Sequence, residues 1–212
     1  MTEFTTSRAY VVASFLMLVI LFTGCGPKDP GELIDIKEVL PKVRLEVRYA
    51  TENNFTKTKL YPEGRCILRR EVAEALALVQ RDLKGDGFEL VIYDCYRPLS
   101  VQKKMWALVP NEDYVADPAK GSRHNRGAAV DVGLFDQYGK RVEMPTDYDE
   151  FSEKAHHSYI DLSANVLINR QKLRTIMERH NFAALPSEWW HYDFLGWQKY
   201  KVLDVPFDSV PD

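Results

Sequence analysis

No stretch of this chain concentrates positive charge. Lysine and arginine are scattered among acidic residues and the formal net charge is -3. Phosphate backbones are held by dense basic surface, so no nucleic-acid partner is expected. No apolar run reaches the ~20 residues a helix needs to span a bilayer. Cysteine is scarce, with 3 among 212 residues, and none belongs to a closely spaced pair, which argues against a cysteine-ligated zinc. Past the first thirty or so residues no repeat or low-complexity segment interrupts the sequence. With 45% hydrophobic residues, that remainder suits one domain of ordinary size with a real core.

The N-terminus differs from the rest. "MTEFTTSR" is polar and ends in Arg8, a 14-residue apolar run from Ala9 to Phe22 follows, and "TGCG" comes next. A short apolar run followed by small residues is the layout of a signal peptide. The ending "FTGC" resembles the lipobox of bacterial lipoproteins, in which the cysteine, here Cys25, becomes the lipidated first residue after cleavage. The expectation is a signal peptide over 1–25, a tether and lead-in over 26–38, and an exported protein held at the membrane by a lipid on Cys25. Plain secretion and an uncleaved anchor are the alternatives. "PKDPG", Pro27 to Gly31, has the composition of an extended linker. After export, Cys66 and Cys95 meet an oxidising compartment, where they are either a disulfide or two buried thiols.

Leu68 to Leu83 carries Val72, Ala75, Leu76, Val79 and Leu83 at helical spacing, and "KGDG" stops it. Phe88–Asp94 reads as a buried strand. Pro98 opens a helix with Val101, Met105 and Leu108 inward. "GAAVDVGLF" reads as a second strand, Ile160 to His180 as a helix, and "EWWHYDF" as a third strand. Connections this irregular do not suit a doubly wound parallel sheet. The expected class is α+β, a small, mainly antiparallel sheet packed with helices.

Three clusters carry chemistry. In "GSRHNRGAAVDV", His124 and Asp131 are seven residues apart, and on a straight strand they point to opposite faces. Sharing a metal requires a bend, for which Asn125, Arg126 and Gly127 supply turn chemistry. The competing reading is a surface histidine beside an ordinary carboxylate. In "SEWWHYDF", His191 offers a third ligand, and Glu188 can take the proton of an attacking water and return it to a leaving amine. The competing reading is a surface glutamate and a half-buried histidine among core tryptophans. In "YDCYRP", Arg97 follows a strand, where it either reaches a cleft to hold an anion or pairs with Asp94. His156, His157 and His180 read as structural.

Taken together, Ser122, His124, Gly127, Ala129 and Asp131, the later Glu188-x-x-His191, and Tyr96-Arg97-Pro98 resemble the zinc-dependent D-alanyl-D-alanine dipeptidases of the vancomycin-resistance (VanX) type. The resemblance runs from about Val39 to about Phe194. It implies a hedgehog/D,D-peptidase-like fold over 39–212 and one zinc per chain held by His124, Asp131 and His191. It also implies that Glu188 is the general base and acid and that Arg97 stabilises the transition state. Tyr49 and Ser122 then lie near the substrate, and Asp149 pairs with the substrate's ammonium. The implied reaction is hydrolysis of D-Ala-D-Ala to two D-alanines, with no protein partner required. The alternative is a D,D- or L,D-carboxypeptidase acting on longer peptidoglycan stems.

Overall fold

The structure is a computed structural model and describes Met1 and residues 28–211. The rest of the expected signal segment, and Cys25 with it, lies outside the described residues. Among the described residues no helix is long and apolar enough to cross a membrane.

Ordered structure begins ahead of residue 39, within the expected lead-in. Strand β1 (Leu33–Asp35) pairs antiparallel with β3 (Ile67–Arg69), and β2 (Arg44–Leu45) lies between them in the chain. Ile34 and Ile36 are core residues, so this segment belongs to the folded domain, and any tether ends before Leu33. Helix α1 (Arg70–Gly85) follows β3 without a loop and buries Val72, Ala73, Leu76, Val79 and Leu83. It stops where expected, with Asp86 as its cap and Gly87 at φ 82°. Strand β4 has the expected bounds, Phe88–Asp94, and leads through Pro98 to α2 (Leu99–Leu108).

The expected inward stripe of α2 needs one correction. Leu108 is 51% exposed, and the buried positions are Val101, Gln102 and Met105. The helix ends at Leu108, whose side chain faces solvent while Met105 in the same turn is buried, and Gln102 turns its amide inward to the Arg97 guanidinium and the Ala116 carbonyl.

Strand β5 (Ala129–Asp136) is buried along nearly its whole length. Helix α3 spans Ala164–Arg179, starting later than the sequence suggests, because the Ser163 side chain accepts the Val166 N–H and caps it. Ile160, expected inside that helix, is exposed. Strands β6 (Phe182–Ala184) and β7 (His191–Phe194) are the last strands among the described residues. The "EWWHYDF" strand is therefore shorter than its composition implies. Glu188 sits in a turn, with its N–H on the Leu185 carbonyl, and Trp189 and Trp190 are buried in the core, the Trp190 carbonyl still accepting the Val132 N–H of β5.

The main sheet has the order β2-β4-β5-β7-β6, and only the β2/β4 pair is parallel. The class is α+β with a mainly antiparallel sheet, as the sequence suggests. β1, β2, β3 and β6 escape sequence reading because strands of two or three residues carry no periodicity. Register across the middle of the sheet gathers its polar residues. In β4 the ladder slips by one residue at Tyr93, which sets Asp94 opposite Asp131, and Asp131 in turn faces His191 on β7. Three polar residues on adjacent strands thus share one row of the sheet.

Cys66 and Cys95 are joined as a disulfide, with Cα atoms 5.2 Å apart and a sequence separation of 29. It ties the lead-in to β3 to the end of β4. Closing a loop of that length is worth about 3.5 kcal/mol by chain entropy. Reduction, or replacement of both residues by alanine, is expected to lower the unfolding free energy by about that amount in a denaturant titration. A change below about 1 kcal/mol would show that the cross-link adds little.

Candidate active site

His124 reaches the sheet because the chain turns sharply before β5. Residues His124–Arg126 form one 3-10 turn, and Gly127 leaves it at φ 67°. A Cβ at Gly127 would stand 2.8 Å from the Leu33 side chain and 3.3 Å from the Arg69 nitrogen, so only glycine closes this bend. Asn125 fixes the turn from within: its Oδ1 accepts the Ser122 N–H at 2.7 Å and its Nδ2 donates to the Arg97 carbonyl at 2.8 Å. The Arg97 N–H donates to the His124 carbonyl, so the Arg97 and His124 backbones move as one piece.

With the bend in place, His124 Nε2, Asp131 Oδ1 and His191 Nδ1 converge. Their separations are 3.1 Å between the two nitrogens, 2.9 Å from His191 to Asp131, and 3.4 Å from His124 to Asp131. A tetrahedral centre with ligand bonds of ~2.0–2.1 Å has ligand–ligand edges of about 3.3–3.4 Å, so the trio is close to the size of one metal's coordination face. Its members offer one ligand atom each within 4.8 Å of one another.

The tautomers suit a cation as well. His124 Nδ1 lies 2.7 Å from the Cys95 carbonyl, and His191 Nε2 lies 3.0 Å from Asp193 Oδ1. If each of those nitrogens donates, the other nitrogen of each ring presents a lone pair to the cluster. Tyr148 donates its O–H to Asp131 Oδ2 at 2.9 Å, which leaves Oδ1 turned inward. Two lone pairs and a carboxylate oxygen facing one point repel unless positive charge sits between them. The residues therefore fit a divalent metal with two nitrogen ligands and one oxygen ligand. Burial works against the Asp131 carboxylate, yet His124 and His191, when protonated toward it, hold it well below the ordinary carboxylate range, the part that a metal's positive charge would take over.

Glu188, Arg97, Tyr49, Ser122 and Asp149 line the same pocket as the three ligands, together with Trp190, Phe151 and Tyr114. Burial pushes the Glu188 carboxyl up, partly offset by His191. Arg97 answers both readings of its sequence position: Nη2 pairs with Asp94 Oδ2 at 2.7 Å, and the same guanidinium borders the pocket. Its Cζ stands 5.2 Å from the centre of the Tyr49 ring. Ser122 has a second part, since its Oγ accepts the His124 N–H at 3.0 Å.

Asp149 is the most constrained of the group. It is a non-glycine residue at φ 65°, a conformation that costs about 1 kcal/mol or more and persists only where neighbours enforce it. Its Oδ1 accepts the Tyr49 O–H at 3.1 Å, while Oδ2 is buried with no hydrogen-bond partner. Burial first and the Asp131 charge second push its carboxyl well above the usual range. A buried acceptor without a donor is costly, and an incoming cation relieves it.

Every residue singled out from the sequence for this pocket is brought to it. Sequence reading passed over Tyr148, Asp193, Gln102 and the Cys95 carbonyl. Asp193 had a usable signal, since residues two apart on a strand share a face and a carboxylate can orient the ligand histidine. The remaining histidines stay outside. His156 gives its carbonyl to Arg170 at 2.9 Å, burial draws the His157 ring down to about 4, and His180 pairs with Asp82 at 2.8 Å.

Comparison with known proteins shows the family. The family described as D-ala-D-ala dipeptidase, peptidase M15, matches residues 29–208, a longer span than the Val39–Phe194 that the motifs mark. The D-alanyl-D-alanine dipeptidase of Escherichia coli K12 is 34% identical over 179 residues, covering 84% of this chain and 93% of that protein. The enzyme of the same name from Enterococcus faecium is 33% identical over 74% of this chain and 88% of its own length. That from Enterococcus faecalis V583 is 30% identical over 82% and 93%. The chain belongs to the D-ala-D-ala dipeptidase family of peptidases.

Proposed function

We propose that this protein hydrolyses the dipeptide D-Ala-D-Ala to two D-alanines, using zinc held by His124, Asp131 and His191. The observation that carries the choice of a dipeptide is the unpartnered Asp149 Oδ2 in the same pocket as Glu188 and Arg97. A free α-ammonium supplies the missing donor, whereas an acylated stem peptide brings a neutral amide to a carboxylate that needs positive charge. The cavity, ≈ 110 Å³, is well below the ~300–1,000 Å³ of sites for drug-sized ligands and suits a small substrate.

Zinc at this site would supply a Lewis acid for the scissile carbonyl and lower the pKa of a water towards ~7. The chain's own groups do the rest. Asp149, steadied by Tyr49, anchors the ammonium and sets the peptide's register. Glu188 accepts a proton from the water whose oxygen bonds to the carbonyl carbon. Arg97 N–H groups left free by Asp94 offset the negative charge that develops on the carbonyl oxygen. As the C–N bond breaks, Glu188 passes its proton to the departing nitrogen, and a carboxylic acid and an amine leave. Trp190, Phe151 and Tyr114 limit the water around these charges.

On this reading the protein works outside the cytoplasm, anchored by a lipid on Cys25. The signal-like run before Cys25 supports this, and a disulfide between Cys66 and Cys95 suits an oxidising compartment. Assaying purified protein against D-Ala-D-Ala and against an N-acylated pentapeptide ending in D-Ala-D-Ala, with metal analysis alongside, tests the enzymatic reading. The expected outcome is about one zinc per chain and cleavage of the free dipeptide alone. Cleavage of the acylated peptide in preference would replace it with a carboxypeptidase.

A further inference from the structure

Gln102 lies on α2, fully buried, and takes no part in the proton transfers or substrate contacts of the proposed hydrolysis. Both ends of its amide are engaged. Oε1 accepts from Arg97 Nη1 at 2.9 Å, and Nε2 donates to the Ala116 carbonyl at 2.6 Å. An amide cannot serve these two partners the other way round, because Arg97 only donates and a carbonyl only accepts. The side chain is therefore locked between a guanidinium and a main-chain strap.

That strap, residues 109–122, connects α2 to the turn carrying His124. It supplies Tyr114, Ala116 and Ser122 to the pocket, and Tyr114 packs against Phe151 with ring centres 4.9 Å apart. Val115, beside Ala116, is 1% exposed and fixes the strap to the core. On its other side Arg97 is held by Asp94 through Nε at 3.3 Å and Nη2 at 2.7 Å. Of the five guanidinium N–H groups, Asp94 takes two and Gln102 takes one, which leaves one on each terminal nitrogen. Asp94 alone permits the plane to tilt about that ion pair; a second acceptor on Nη1 removes the freedom.

We propose that Gln102 is a positioning residue that aims the two free N–H groups of Arg97 into the pocket and ties that aim to the strap forming the pocket rim. The inference rests on the dipeptidase reading for the role of Arg97, but the tie itself is a property of the folded chain. It predicts that Gln102 is the link between the rim and the guanidinium, so removing both of its hydrogen bonds loosens both, and removing one loosens only the side it served.

Two variants of the zinc-loaded chain test this. Gln102→Met keeps the length and removes both hydrogen bonds. It is expected to lower kcat for D-Ala-D-Ala about 10- to 100-fold, the scale of a lost hydrogen bond to a charged group, with KM within about twofold and zinc content unchanged. Hydrogen exchange at the Val115, Lys120 and Gly121 amides, which are bonded within the strap, should quicken. Gln102→Glu keeps the acceptor for Arg97 and loses the donor to Ala116. It should quicken exchange similarly while retaining most of the kcat. An unchanged kcat in Gln102→Met, or a fall that tracks lost zinc, overturns the aiming role. Strap exchange equal to the parent's in both variants overturns the tie. Should the parent leave D-Ala-D-Ala intact, the dipeptidase reading fails, and exchange in the two variants still decides whether the tie exists.

Discussion

Replacing Glu188 with glutamine is expected to reduce kcat for D-Ala-D-Ala by roughly 10²- to 10⁴-fold while zinc stays bound. The amide has nearly the shape of the carboxylate, so the turn from Leu185 and the packing of Trp189 and Trp190 survive the change. What disappears is the ability to take a proton from water and hand it on. Glu188 is not one of the three clustered ligands, so metal content should match the parent's. KM should move little, because on the proposed reading Asp149 anchors the ammonium. The measurement is a steady-state kcat and KM beside zinc analysis of the same sample. Activity within tenfold of the parent would remove Glu188 from the proton path and send the search to another pocket group.

His191→Ala should empty the metal site altogether. Zinc sites in which the metal does chemistry use three protein ligands and leave one position for water, and loss of one of three leaves too few to hold the ion through dialysis. His191 faces Asp131 across the β5/β7 ladder, so its removal also leaves that buried carboxylate with less to balance it. Zinc per chain is expected to fall from about one to near zero, and hydrolysis to background. Asp193→Asn is the informative companion: it leaves all three ligands but weakens the acceptor on His191 Nε2, so zinc affinity should drop about 10- to 100-fold without being abolished. Stoichiometric zinc in His191→Ala would show that the ion sits elsewhere.

The candidate site was readable in the sequence further than the fold was. His124, Asp131, Glu188 and His191 carry chemistry that few other arrangements need, and Gly127 marks the bend that lets the first two meet. Spacing within one segment did not suffice, since Asp131 meets His191 only through strand register, and register depends on a one-residue slip at Tyr93 that leaves no mark on composition. Long elements announced themselves: α1 by its apolar periodicity and bounding turn, β4 by a continuous run of strand-forming residues. The short strands and the late start of α3 did not, because two or three residues define no period and Ser163 resembles any loop serine until its cap bond is seen. Tyr148 and Gln102 were illegible for another reason. Their roles depend on what lies beside them in space, and a tyrosine or glutamine in isolation reads as ordinary core or surface.

Cys95 is both half of the disulfide and the residue whose carbonyl faces His124 Nδ1. The covalent bond therefore does more than resist unfolding. It restricts one end of the frame that holds a ligand imidazole, so part of the ordering entropy of the metal site is spent when the chain is oxidised rather than when the ion arrives. Oxidation before metal uptake then yields a preorganised receptor. A reduced chain in which Cys95 loosened would have to order it and His124 at the expense of affinity for a metal held there.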